Sequence, residues 1–162
     1  MNYPEDTLGK YQDDDGTMPD NVQKLADAVV GHRIVKAEQT HVKGTDFDPN
    51  AGRYYGPSAG LVLTLDDGRR VLLQDSSDCC AYTSLENFLL HVDRVDHIIT
   101  GVATTNGFEK WHIFADFGDV MELEVGWSAG NPFYYGYGFD IYVSNVIDAD
   151  TAQGELPAGE KP

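Results

Sequence analysis

Apolar and polar residues alternate along much of this chain. Leu61-Val62-Leu63-Thr64-Leu65, the turn signal Asp66-Asp67-Gly68, and Arg69-Arg70-Val71-Leu72-Leu73 form the clearest unit. Two β-prone runs flank a pair able to adopt the positive φ of a tight turn, so a hairpin is predicted. Trp111, Ile113, Ala115 and Phe117 alternate with His112, Phe114 and Asp116, which predicts a strand over 110–117 with Gly118-Asp119 as its turn. Met121, Leu123, Val125 and Trp127 alternate with Glu122 and Glu124, a strand with one wet face. His32 to Lys43 and His97 to Thr105 read as further strands. A last one is predicted over 134–147, with Tyr135, Tyr137, Phe139, Ile141 and Val143 on one face and Gly136, Gly138, Asp140 and Ser144 on the other.

Two segments carry helical spacing instead. Val22, Leu25, Ala26 and Val29 fall at i, i+3, i+4 and i+7 over 20–30. Asp20 and Gln23 stand as N-cap and N3, and Gly31 as the left-handed stop. Leu85, Phe88, Leu89 and Val92 give a similar stripe over 84–92, behind a capping box of Thr83 and Glu86. Short turns between strands imply antiparallel pairing. Two helices that do not alternate with the strands argue against a doubly wound sheet. The expected fold is α+β: one mostly antiparallel sheet of about six or seven strands, with two helices packed on one face. It occupies residues 19–147, between a flexible acidic leader (1–18) and a flexible acidic tail (148–162).

Charge narrows the functions. The 162 residues hold 27 acids against 11 Lys and Arg, a net −16. Residues 1–20 carry six acids and one base and residues 148–162 four acids and one base, so half of the excess lies in the tails. This disfavours direct nucleic-acid binding, which needs cations to displace counterions, and leaves room for a basic protein partner. No apolar run approaches the ~20 residues that span a bilayer. The first residues have no basic and apolar signal pattern. No membrane association is therefore expected, and the expected compartment is the cytoplasm.

Candidate chemistry concentrates in Gln74-Asp75-Ser76-Ser77-Asp78-Cys79-Cys80, which holds both cysteines. Asp75, Asp78, Cys79 and Cys80 are candidate ligand residues. Adjacent sulfurs diverge, whereas zinc cysteines are spaced to reach one ion, and neighbouring carboxylates oppose a reactive thiolate that a helix N-terminus would favour. Asp46-Phe47-Asp48-Pro49-Asn50 opens like a calcium loop, but Ala51 and Pro57 stand where the turn glycine and the bidentate Glu belong. The five histidines have no ligand spacing, although His112 and Asp116 share a strand face as a candidate His–Asp pair. Walker, GxGxxG and GxSxG motifs are absent. No metal, no cofactor and no catalytic residue is expected, and an enzyme is the less favoured class. Tyr134, Tyr135 and Tyr137, spaced by glycines, are the candidate binding surface, because Tyr buries large area with few rotors.

The stretch from Leu61 through Asp78-Cys79-Cys80 resembles a family of small uncharacterised domains found in bacteriophages and some bacteria. In that family a hairpin precedes a His/Gln-x-x-x-Asp-Cys-Cys segment and a Tyr-rich strand closes the domain. The resemblance covers residues 30–147 and implies a phage accessory protein acting in the host cytoplasm; it implies no activity. The leading expectation is thus a non-enzymatic accessory protein that binds a host or phage protein. The alternative is a small-molecule or metal-binding domain using the Asp-Cys-Cys loop.

Overall fold

The computed structural model describes residues 3–9, 14, 16–42, 58–77, 81–128 and 138–144. Among them are one helix and nine strands in two antiparallel sheets. This corrects the expectation of a single six- or seven-stranded sheet carrying two helices.

The helix α1 (Thr17–Val29) starts ahead of the expected Asp20 cap. Gly16 precedes it at φ 103. Asp14 takes the capping role from further upstream, its carboxylate accepting from the amides of Gly16 (2.9 Å) and Met18 (3.1 Å). Met18, Asn21, Leu25, Ala28 and Val29 form the buried face. Gly31, at φ 89, ends the helix as expected. Its amide donates to the Ile99 carbonyl, and the Ile99 amide donates to the His32 carbonyl, which ties the helix exit to the chain just ahead of Gly101.

Sheet A runs β1 (Ile34–Val42), β2 (Ser58–Leu65), β3 (Arg70–Gln74) and β9 (Asp140–Val143) in that spatial order. The predicted hairpin is β2–β3, with Gly68 at φ 91 in its turn. Sheet B has the order β4 (Ser76–Ser77), β5 (Tyr82–Leu90), β8 (Gly118–Ser128), β7 (Lys110–Ala115) and β6 (Gly101–Thr105). Inward residues of both sheets and of α1 share one apolar cluster, including Leu25, Leu63, Leu73, Trp111, Leu123 and Ile141. Val62 and Leu72 are buried on the outer face of sheet A beside Tyr142.

The predicted helix over 84–92 is strand β5. Its register against β8 slips between Leu85 and Asn87, so one extra residue interrupts the period of two. Buried Leu85 is followed by the core-packed Phe88 and Leu90, a spacing that imitates a helical stripe. The other members of that stripe, Leu89 and Val92, are 54% and 77% exposed. The apparent capping box has different work. Thr83, fully buried, accepts the Gly138 amide on Oγ1 (2.6 Å), and Glu86 accepts from the Ser84 hydroxyl. With Ser76 donating to the Gly138 carbonyl and Asn21 bonded to both the amide and the carbonyl of Phe139, three elements fix the chain where it enters β9.

The calcium-like stretch 46–57 lies outside the described residues, as do Asp78, Cys79, Cys80, Tyr134, Tyr135 and Tyr137. Among the described residues no helix is long and apolar enough to cross a membrane.

Candidate functional site on the outer face of sheet B

On β7, Trp111, Ile113 and Ala115 point into the core, so Lys110, His112 and Phe114 take the outer face. His112 stands opposite Glu122 of β8. In a regular strand Asp119, three residues before Glu122, would face the other way. The β7–β8 register shifts between Ile113 and Phe114, whose partners are Met121 and Asp119. Val120 is the extra residue and is fully buried. The bulge re-aims the chain and brings Asp119 to the His112 side.

The result is a linked polar cluster. Nδ1 of His112 lies 2.8 Å from Oδ2 of Asp119, and its Nε2 lies 2.9 Å from Oγ1 of Thr105 at the end of β6. A carboxylate only accepts, so Nδ1 carries a proton, and in the neutral imidazole the Thr105 hydroxyl donates to Nε2. Tyr3 donates its hydroxyl to Oδ1 of the same carboxylate and stacks its ring on His112. Burial, together with Asp119, pushes the Tyr3 phenol well above the ordinary tyrosine range. Arg94 donates to the Asp119 backbone carbonyl (3.0 Å). Beside these groups, Glu122 accepts from Lys110 (2.9 Å) and from His91 Nε2 (2.5 Å). Those two hydrogen bonds, Lys110 first, hold its carboxyl below the usual range despite partial burial.

A second feature adjoins the cluster in the β6–β7 turn. Asn106, Gly107 and Phe108 are all left-handed, at φ 58, 65 and 63. Successive left-handed residues are costly for side-chain-bearing positions, and this turn is held from both sides. Below it, the Trp127 and Trp111 indoles donate to the carbonyls of Gly107 (2.9 Å) and Phe108 (3.0 Å). Above it, the Asp6 carboxylate accepts the amides of Gly107 (3.1 Å) and Phe108 (2.7 Å). Two backbone amides converging on one carboxylate make an anion nest. Tyr3 and Asp6 are half-buried, while Pro4 and Glu5 between them are exposed. The leader is thus anchored at two points three residues apart.

Of the candidate ligand and binding-surface residues named from sequence, Asp75 alone is described. Its Oδ1 accepts the Leu85 amide (3.0 Å) beside the β5 bulge. Burial raises its carboxyl above the ordinary range, against the pull of that hydrogen bond. The suggested partner of His112, Asp116, is exposed, and Asp119 holds the imidazole instead. Sequence reasoning did not single out Tyr3, Asp6, Thr105 or Asp119, whose meeting depends on contacts over long chain separations and on the Val120 bulge. The Asn106-Gly107 pair, a turn signal left unused in the sequence reading, is the local feature that points to the nest.

No curated protein and no solved structure matches the chain. A family model described as a domain of unknown function, DUF7448, matches residues 27–141, well over half of the sequence. That span takes in Thr105, the nest, His112, Asp119 and Glu122, and excludes Tyr3 and Asp6; on this match the chain belongs to the DUF7448 family.

Proposed function

We propose that this chain is a non-enzymatic accessory protein, phage-encoded, that acts by binding a host or phage protein, and that the outer face of sheet B receives an extended segment of that partner. The leader carries the reading. In cis, Tyr3 stacks on His112 and bonds Asp119, while Asp6 fills the amide nest. An aromatic hydroxyl followed three residues later by a carboxylate is therefore the chemistry this face accepts. The receiving groups lie inside the family domain and the occupant outside it, which fits an occupant that a partner's segment replaces. The net charge of −16 favours a partner that is basic outside the anchoring segment. Resemblance of the hairpin and Asp-Cys-Cys region to phage and bacterial domains supports the phage origin. The alternative of a ligand at the Asp-Cys-Cys loop has Asp75 as its one described member, and that carboxylate is engaged by the Leu85 amide.

A peptide array tests the specificity. Probed with the chain carrying Tyr3→Ala and Asp6→Ala, peptides with Tyr and an acid at the leader's spacing are expected to bind. Moving the acid by one residue, or replacing Tyr by Ala, is expected to abolish the signal. Binding that follows total negative charge rather than spacing would sink the assignment.

A further inference from the structure

We propose that His112, Asp119 and Glu122 form a divalent-cation site of the zinc class on the outer face of sheet B. One ligand atom from each lies within 4.8 Å of the others. In a tetrahedral zinc site with bonds of ~2.0–2.1 Å, ligand atoms stand ~3.3 Å apart, so small side-chain rotations close the set. The mixed imidazole–carboxylate character suits zinc rather than calcium or magnesium, which take oxygen. All three residues sit on paired strands, and His112 and Glu122 are direct cross-strand partners, a rigid base for fixed geometry.

The surrounding groups match what a metal site needs around its ligands. A metal-bound imidazole usually donates its other N–H to an oxygen, which fixes ring and tautomer. Thr105 stands 2.9 Å from Nε2 of His112. Its hydroxyl accepts as readily as it donates, so Nδ1 can give up its proton and turn its lone pair to the ion. His91 and Lys110 hold the two Glu122 oxygens, and each carboxylate oxygen keeps a further lone pair. With three protein ligands the fourth position remains for water.

A comparable cluster elsewhere lacks these properties. His32, Asp66 and Asp67 also gather within 4.8 Å of one another. There Arg69 reaches both His32 Nε2 (2.8 Å) and Asp67 (2.8 Å), and Arg33 reaches Asp66 (3.4 Å). There a guanidinium occupies the imidazole nitrogen itself and guanidiniums hold both carboxylates, whereas in the proposed site the cation Lys110 bonds Glu122 alone of the three ligands. At Asp119, by contrast, Arg94 bonds the backbone carbonyl, and the described partners of the carboxylate are Tyr3 and His112. The three ligands themselves lie on β7 and β8 and need no occupant from the leader or from a partner.

The test uses the full chain, stripped with chelator, loaded with Zn²⁺, desalted and assayed for bound metal. One ion per chain is expected. It is expected to be lost in His112→Gln and in Glu122→Gln, kept in His32→Gln and in the Cys79→Ser, Cys80→Ser double variant, and weakened about tenfold in Thr105→Val. Co²⁺ loading of the unaltered chain reads the ligand set with no substitution: tetrahedral visible bands without a thiolate charge-transfer band are expected. No retained ion, retention in both His112→Gln and Glu122→Gln, loss in the His32 or cysteine variants, or a thiolate band would each overturn the proposal.

Discussion

Tyr3 lies flat on His112, ring centroids 4.5 Å apart and planes 22° from parallel, and bonds the same carboxylate that holds the imidazole edge. The stack and the hydrogen bond are separable. Tyr3→Phe keeps the ring and is expected to cost about 1 kcal/mol, and Tyr3→Ala about 2 kcal/mol, in urea unfolding at neutral pH. Because the folded phenol titrates above its ordinary value near 10, the hydroxyl's contribution is complete below that value and is lost as pH rises through the folded one. The parent and Tyr3→Phe are therefore expected to converge in strongly alkaline buffer. A constant difference across that range would remove the hydrogen bond from the account.

The 106–108 turn predicts a reversal of the usual glycine penalty. Asn106 is exposed at φ 58, a conformation Asn tolerates, Ala resists and Gly adopts freely. Asn106→Ala is expected to lower stability by about 1 kcal/mol, and Asn106→Gly to leave it unchanged or slightly raised. Thermal melts of the two variants decide this. Equal losses would mean that the Asn side chain, not the backbone, matters.

Strand β5 makes opposite demands on two leucines that a helix would treat alike. Leu85 is 7% exposed and Leu89 is 54% exposed. Leu85→Ala is expected to cost about 2–5 kcal/mol, while Leu89→Lys stays within about 0.5 kcal/mol of the parent. Thr83→Val, which strips the acceptor from the buried Gly138 amide, is expected to cost about 1–3 kcal/mol, with Thr83→Ser close to neutral. Comparable losses at Leu85 and Leu89 would restore the helical reading.

Asp75 separates hydrogen bonding from charge. Asp75→Ala orphans the Leu85 amide and is expected to lose about 1–3 kcal/mol. Asp75→Asn keeps an acceptor and removes a carboxylate whose ionisation burial opposes. A raised folded value means that the native state binds the proton more tightly. The parent's advantage is present below the unfolded value near 3.9 and lost as pH rises through the folded one. Asp75→Asn is accordingly expected to equal or exceed the parent at pH 7, the gap closing toward pH 4, as read from urea midpoints across pH.

The β2–β3 hairpin and the alternations Trp111–Ala115 of β7 and Met121–Trp127 of β8 were legible in the sequence because a period of two survives in each, whereas Phe117, expected inward, lies past the end of β7 and is exposed. Gly31 and Gly68 marked their turns for a local reason, positive φ. What escaped rests on single-residue slips. The extra residue at the β5 bulge turned a strand into an imitation helix, and the buried Val120 moved Asp119 to the face that sequence reading had given to Asp116. The division of the strands between two sheets is also absent from alternation, since a buried face reads alike whichever sheet it belongs to. The Tyr3–Asp119 contact spans 116 positions, and nothing local announces it.

The most direct measurement is a titration of a synthetic peptide carrying the leader's Tyr-Pro-Glu-Asp sequence into the full chain and its variants. A tethered leader competes at an effective concentration on the order of millimolar. Saturable one-to-one binding to the chain with Tyr3→Ala and Asp6→Ala is expected, at least roughly tenfold weaker binding to the parent, and none once His112→Ala is added. Absence of binding to the double variant, or equal binding to the parent and to the His112→Ala chain, would contradict the assignment of this face as a peptide receptor.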